Sequence, residues 1–245
     1  MRTTLRIGWL LGACLVLPLF SRAQSPEASN VVSVRELSIP PKALHAFQKG
    51  VELLAKRDPA GSLLHFQRAV AEFANFYEAY YKMGVADLKL WRVADAEQAY
   101  RRSIELSGGK YAQPLLALGV LLGYERNFAE AEEVTRKGLE LDPTSWAGYY
   151  SLGCALFGLD RLEEAQKSVH EALRWKTDSS EAQLLLADIH NRQKDYRAVL
   201  NDLDVYLKLD PDSPVSAKAR ALRDSAQRAL AESQSTAALV PLQHP

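Results

Sequence analysis

One small residue recurs along this chain at nearly constant intervals and restricts what the chain can fold into. It occupies Gly50, Gly84, Gly119, Gly153 and Ala187. The intervals between these positions are equal except for the second, which is longer by the one extra residue of the Gly108–Gly109 turn. A fixed period between roughly 20 and 50 residues is typical of stacked repeats, in which each unit packs only on its neighbours. The sequence therefore predicts one array of repeats.

Two further small positions recur with the same period. The first holds Ser62, Ala96, Ala131 and Ala165, and the second holds Ala69, Ser103, Gly138 and Ala172. Both series end in a large residue, at Val199 and Tyr206. Antiparallel helices approach closely only where side chains are small, so these positions predict pairs of crossing helices. We place the pairs near 42–56 and 60–72, 77–90 and 93–106, 112–125 and 128–141, 146–158 and 162–174, and 180–193 and 196–209.

The repeated unit resembles the tetratricopeptide repeat (TPR) pattern W-x2-L-G-x2-Y…A-x3-F…A…P. Tyr80, Leu115 or Tyr149 stands in the Trp position, and Asp142-Pro143 and Asp210-Pro211 close two of the units. The resemblance covers residues 43 to 211, with repeats near 43–76, 77–110, 112–145, 146–179 and 180–211. It implies an all-α fold, a right-handed superhelical solenoid of about five helix pairs with a capping helix at the C-terminal end.

The first 23 residues have the pattern of a secretory signal peptide. Arg2 and Arg6 precede an uncharged apolar run from Ile7 to Phe20, and Ser21-Arg22-Ala23 offers small residues for cleavage. The run is shorter than the roughly 20 residues that a membrane-spanning helix needs. We therefore expect an exported protein, periplasmic or secreted. Residues 24–41 are expected to form a linker, because Pro40-Pro41 blocks a helix before residue 42.

An alternative interpretation of the same segment is a bacterial lipoprotein. Leu11-Gly12-Ala13-Cys14 resembles a lipoprotein box, in which Cys14 would be acylated and would anchor the protein to a membrane. Against this, the apolar run continues beyond Cys14, whereas a lipidated cysteine is normally followed by a polar linker.

The C-terminal segment has the pattern of a cap. Ser213 is a favourable N-cap and Pro214 suits the first helical position, which predicts a helix over 213–231. Its apolar face is narrow and its other face is charged, as a terminal repeat requires. The large residues Val199 and Tyr206 are expected to pack on this helix. Residues 232–245 are expected to be disordered.

No catalytic, cofactor-binding or metal-binding motif is apparent. The formal net charge is zero, so the chain lacks the basic character of a nucleic-acid-binding protein. There is no Gly-rich phosphate loop after a strand and no G-x-S-x-G, C-x-x-C or H-E-x-x-H motif. The histidines have no metal-ligand spacing and are expected to be solvated. Cys154, the only cysteine besides Cys14, is expected to be an inert thiol.

The inner side of the first helices carries the functional hypothesis. In the proteins that this chain resembles, the first helices line a concave groove, and here those positions are mostly apolar or aromatic. The side chains expected to bind a partner are Tyr81, Val85, Leu88, Leu116, Val120, Tyr124, Tyr150 and Phe157. The Lys and Asn residues with which some family members clamp an acidic peptide terminus are largely absent. An apolar groove predicts an adaptor that binds another protein through a peptide or helix with apolar anchors.

Three other interpretations remain open. The groove can be filled by tighter packing or by the protein's own tail or linker. It can also receive a second copy, which would make a self-assembling structural protein. A small-ligand or enzyme site is the third, at the polar end of the groove near Asp188, His190 and Arg192.

Overall fold

The computed structural model describes residues 38–238, and within that range every regular element is a helix. The helices are α1 Pro41–Ala55, α2 Pro59–Glu72, α3 Tyr77–Lys89, α4 Val93–Leu106, α5 Ala112–Tyr124, α6 Phe128–Leu141, α7 Trp146–Gly158, α8 Leu162–Trp175, α9 Ser180–Gln193, α10 Tyr196–Leu209 and α11 Ser216–Ala238. They fall into two compact units: α1–α6 belong to an N-terminal unit that ends at Thr144, and α7–α11 belong to a C-terminal unit that begins at Ser145.

The all-α fold and the five helix pairs are confirmed. Each of the first ten helices begins and ends within one residue of its expected position. The helix α1 begins at Pro41, where the missing N–H of proline costs no hydrogen bond. The signal peptide, the lipoprotein box with Cys14 and residues 24–37 of the linker lie outside the described residues. Within the described residues, no helix has the length and apolar character that crossing a membrane requires.

Close contact at the small residues holds each pair together. A Cβ added at Gly50 would lie 2.6 Å from the ring of Phe66, and one at Gly84 would lie 2.5 Å from the ring of Tyr100. Both rings are buried on the second helix of the pair. The repeat period therefore reflects the positions where the first helix of a pair packs so closely on the second that only glycine or alanine fits.

The turn inside each pair contains one residue in the left-handed backbone conformation, at the same position of every repeat. Arg57, Trp91, Arg126, Asp160 and Lys194 adopt φ values of 61° to 65°. In the first turn, the N–H of Asp58 donates to the carbonyl of Leu53 at 2.9 Å, and the other four turns repeat this bond. This is the Schellman arrangement, which satisfies carbonyls at a helix end and usually requires glycine at the left-handed position. No glycine occupies that position here, so sequence signals did not reveal it.

The last helix packs as a cap, but its limits differ from the expected ones. Leu203 and Tyr206 of α10 share a core cluster with Leu222 and Ala226 of α11, which confirms that the altered last pair packs on the terminal helix. The cluster also includes Val199.

The expected limits of the terminal helix, 213 and 231, were wrong at both ends. It begins at Ser216, because Ser213 and Pro214 lie in a turn in which the N–H of Ser216 donates to the Ser213 carbonyl at 2.9 Å. The Ser216 hydroxyl also donates to the carbonyl of Asp210 at 2.7 Å. The helix continues to Ala238, so disorder was wrongly expected for 232–238; residues 239–245 lie outside the described range.

Candidate functional site

In the N-terminal unit, the inner positions of α1, α3 and α5 form a partly exposed apolar surface, here called the inner apolar face. Val51 is 37% exposed and Tyr124 is 53% exposed, which is high for side chains of this kind. Other members of the face are half-buried, namely Leu54, Tyr81, Leu88 and Val120. Val85 and Leu116 are buried and form its floor. The unit thus places five of the eight predicted partner-binding residues on the recurring inner positions, and Tyr124 lies beside the inner position of Gly123.

Tyr81 is fixed by a cluster of aromatic rings. Its ring centroid lies 6.0 Å from that of Tyr100 on α4 and 5.6 Å from that of Tyr111, which precedes α5. Tyr77 contacts Tyr111 at 5.2 Å. The Nζ of Lys82 lies 5.1 Å from the centroid of the Tyr81 ring, and burial lowers the pKa of this lysine and raises the pKa of Tyr81. The cluster ties α3 to α4 and to the start of α5.

In the C-terminal unit, the two predicted partner-binding residues are buried. Tyr150 is 8% exposed and Phe157 is 5% exposed, so neither offers much surface to a partner. The guanidinium of Arg192 on α9 lies 5.7 Å from the Phe157 ring centroid and covers its face. The role of Tyr150 and Phe157 in partner binding stays a prediction. Cys154, between them on α7, is half-buried.

His190 was wrongly expected to be solvated. It is buried, and its Nδ1 lies 2.6 Å from Oδ2 of Asp202 on α10. Its Nε2 lies 3.0 Å from Nε2 of Gln166 on α8. Burial raises the pKa of Asp202, and the hydrogen bond from His190 opposes that shift. The arrangement satisfies the imidazole on both sides with a carboxylate and an amide, which makes it a structural network among three helices.

The signal that could have revealed this burial is the repeat register. His190 occupies the position that Leu122 and Leu156 hold in the two preceding repeats, and both leucines are buried. The proposed polar site near Asp188, His190 and Arg192 is therefore not one site. Asp188 and Arg192 lie one turn apart, whereas His190 faces α8 and α10.

Asp188 and Asp87 are two carboxyls whose pKa lies well above its usual value. Burial raises the pKa of Asp188 to about 7. Burial also raises the pKa of Asp87 to about 6, with a further contribution from Asp95, while Arg92, whose Nη1 is 4.0 Å from Asp87 Oδ1, opposes it. In residues 38–238 there is no group of three or more His, Cys, Asp or Glu side chains suited to holding a metal ion.

Comparison with known proteins identifies the repeat. A family model described as tetratricopeptide repeat matches residues 47–110 and 150–214, which is more than half of the chain. A tetratricopeptide repeat-containing protein from Caenorhabditis elegans, trd-1, is 30% identical over 97 residues. That match covers 39% of this chain and 13% of the worm protein, so the two share only a repeat segment.

Solved structures show the same fold. MamA from Desulfovibrio magneticus RS-1 superposes with a TM-score of 0.64 at 18% identity, covering 72% of this chain and 99% of MamA. YrrB, described as a TPR protein with an unusual peptide-binding site, gives a TM-score of 0.61 at 16% identity, covering 73% of this chain and 91% of YrrB. The pilF protein of Pseudomonas aeruginosa gives 0.60 at 15% identity, covering 76% of this chain and 88% of pilF.

Proposed function

This chain belongs to the tetratricopeptide repeat family, and from that premise we propose that it is an adaptor of the cell envelope that binds a partner protein on its inner apolar face. The partner contributes a helix or an extended peptide with apolar anchors. The repeat supplies a fixed scaffold, and the side chains on its inner side supply the specificity.

The exposure of Tyr124 and Val51 carries this proposal. Burying such side chains is favourable. Val51 at an inner position and Tyr124 beside the inner position of Gly123 therefore favour a surface that a partner covers. Half-buried Leu88 and Val120 lie at further inner positions of the same unit. Tyrosine is also enriched among residues that dominate binding energy, because it combines a large apolar ring with a polar hydroxyl. The peptide-binding site named for YrrB is consistent with this use of the fold.

The test compares charge insertion on the inner apolar face with charge insertion elsewhere. We expect Val120→Glu and Tyr124→Glu to remove captured partners by burying an unpaired carboxylate at the interface. Leu64→Glu is the matched control, because Leu64 is 58% exposed and lies on a second helix. Proteins captured from an envelope extract are identified by mass spectrometry for each variant, and circular dichroism checks that helicity is kept. Equal capture by all three variants and by the wild type would contradict the proposal.

The location in the envelope rests on the sequence of residues 1–23. Export followed by cleavage predicts a mature chain that starts at Gln24, which N-terminal sequencing of the protein from the periplasm or medium would reveal. Acylation at Cys14 instead predicts partition into detergent, and a Cys14→Ser change would abolish that partition. A chain that stays in the cytoplasm with residues 1–23 attached would contradict both versions.

A further inference from the structure

The C-terminal unit has a second inner surface, formed by α7 and α9 and here called the α7–α9 face. On α9, Glu181, Asp188 and Arg192 share one side, because their spacing corresponds to whole helical turns. Arg192 reaches the ring of Phe157 on α7, so this side of α9 borders the inner side of α7. Asp188 also follows Cys154 by one repeat period, which places the two at equivalent positions of consecutive repeats.

Asp188 is the exception in a series of uncharged side chains. The earlier inner positions in this register hold Val51, Val85, Val120 and Cys154. The whole of α7, Trp146–Gly158, contributes no Asp, Glu, Lys or Arg. The repeat register therefore places this carboxylate beside a helix without charged side chains, where a lone charge is unfavourable.

The other charged residues on this side of α9 already have partners. Glu181 accepts from the Ser179 hydroxyl at 2.9 Å and lies 3.9 Å from Nζ of Lys176. Arg192 forms an ion pair with Asp160 rather than with Asp188, one helical turn away. Within the described part of the chain, the Asp188 carboxylate receives no hydrogen bond and has no ion-pair partner.

The Asp188 side chain is half-buried, and this burial disfavours the charged form of its carboxyl. Burial raises the pKa of Asp188 to about 7, and no neighbouring cation lowers it. A positive group placed beside the carboxylate would favour the charged form.

We infer that the α7–α9 face binds a Lys or Arg side chain of the partner, with its charge paired to Asp188. This inference rests on the proposed function, because it defines the chemistry of the same class of partner, a peptide or helix with apolar anchors. The lysine or arginine stem packs beside the half-buried Cys154 of α7, and its charged end meets Asp188.

The test uses the full chain and synthetic peptides. The peptides carry Leu and Phe anchors at helical spacing, and a single Lys is moved through each position between the anchors. Gln and Glu at the same positions give the reference peptides. Affinity is measured by fluorescence anisotropy for the wild type, for Asp188→Asn and for Asp224→Asn. Asp224 lies exposed on α11 of the same unit, so its change also removes a carboxyl from that unit without touching the α7–α9 face.

We expect one Lys position at which the wild type binds the Lys peptide at least about tenfold more tightly than the matching Gln peptide. Asp188→Asn should remove this preference while leaving the affinity for the Gln peptide unchanged, and Asp224→Asn should keep it. The inference is overturned if apolar peptides bind without a Lys preference, or if the preference survives Asp188→Asn; the proposed function then still stands. If no peptide binds at all, the inference is overturned, whereas the proposed function is decided by the capture experiment with Val120→Glu and Tyr124→Glu. A dimer that forms only when Asp188 is present would assign the site to a second copy and overturn the peptide assignment.

Discussion

At the scale of the residue, Asp87 occupies a position that the next two repeats fill with leucine. The equivalent residues are Leu122 and Leu156, and all three side chains are buried. A buried carboxylate whose nearest cation is 4.0 Å away is poorly compensated. We expect Asp87→Leu to raise the free energy of unfolding at neutral pH by about 1–2 kcal/mol. Urea unfolding followed by circular dichroism measures the change.

The raised pKa of Asp87 also predicts how the stability of the protein changes with pH. The pKa of Asp87 is raised from its usual 3.8 to about 6 in the folded protein, so folding favours the protonated form. Its favourable contribution is complete below about pH 4 and is lost as the pH rises through about 6. The advantage of Asp87→Leu over the wild type should therefore widen between these pH values. The same difference at about pH 4 and about pH 7 would show that Asp87 does not titrate in this way.

At the scale of the element, replacing two glycines in neighbouring first helices by alanine should change the free energy of unfolding in opposite directions. At Gly84 an added Cβ would meet the buried Tyr100 ring at 2.5 Å, whereas at Gly123 nothing lies within 4 Å. We expect Gly84→Ala to lower the free energy of unfolding by about 1–3 kcal/mol through overpacking. Gly123→Ala should instead raise it by up to about 1 kcal/mol, because alanine is the better helix former. Thermal unfolding of both variants checks the pair, and a stabilised Gly84→Ala would refute the close crossing.

Elements were predictable because small residues mark each crossing. The period located ten helices, and its breaks at Val199 and Tyr206 predicted the packing of these residues on the terminal helix. The left-handed turns were not predictable, because Trp91, which is 81% exposed, and its charged equivalents such as Arg57 carry no turn signal. The side chains of the candidate site were only partly predictable. Periodicity assigned Tyr150 and Phe157 to the inner side, but their exposure depends on which neighbours cover them.

At the scale of the whole molecule, a stacked array must close its last repeat, and α11 does so for the C-terminal unit. Leu222 packs with Leu203 and Tyr206, and these three side chains are buried. Because each repeat contacts only its neighbours, losing this contact should affect the end of the array first. We expect Leu222→Ala to lower the stability of α9 and α10 by about 2–4 kcal/mol. Their backbone amides should exchange with deuterium faster, while those of α1–α6 keep their rates.

Asp224→Ala is the control for this change, because it alters the same helix at an exposed position and leaves the cluster intact. Exchange rates in α9 and α10 should then stay near those of the wild type. If Leu222→Ala accelerated exchange equally in all helices, the chain would unfold as one cooperative block, and the nearest-neighbour account of its stability would be wrong. If neither variant altered exchange in α9 and α10, α11 would not be the cap of this array. Faster amide exchange confined to α9 and α10 would show that α11 protects the repeat that carries Asp188.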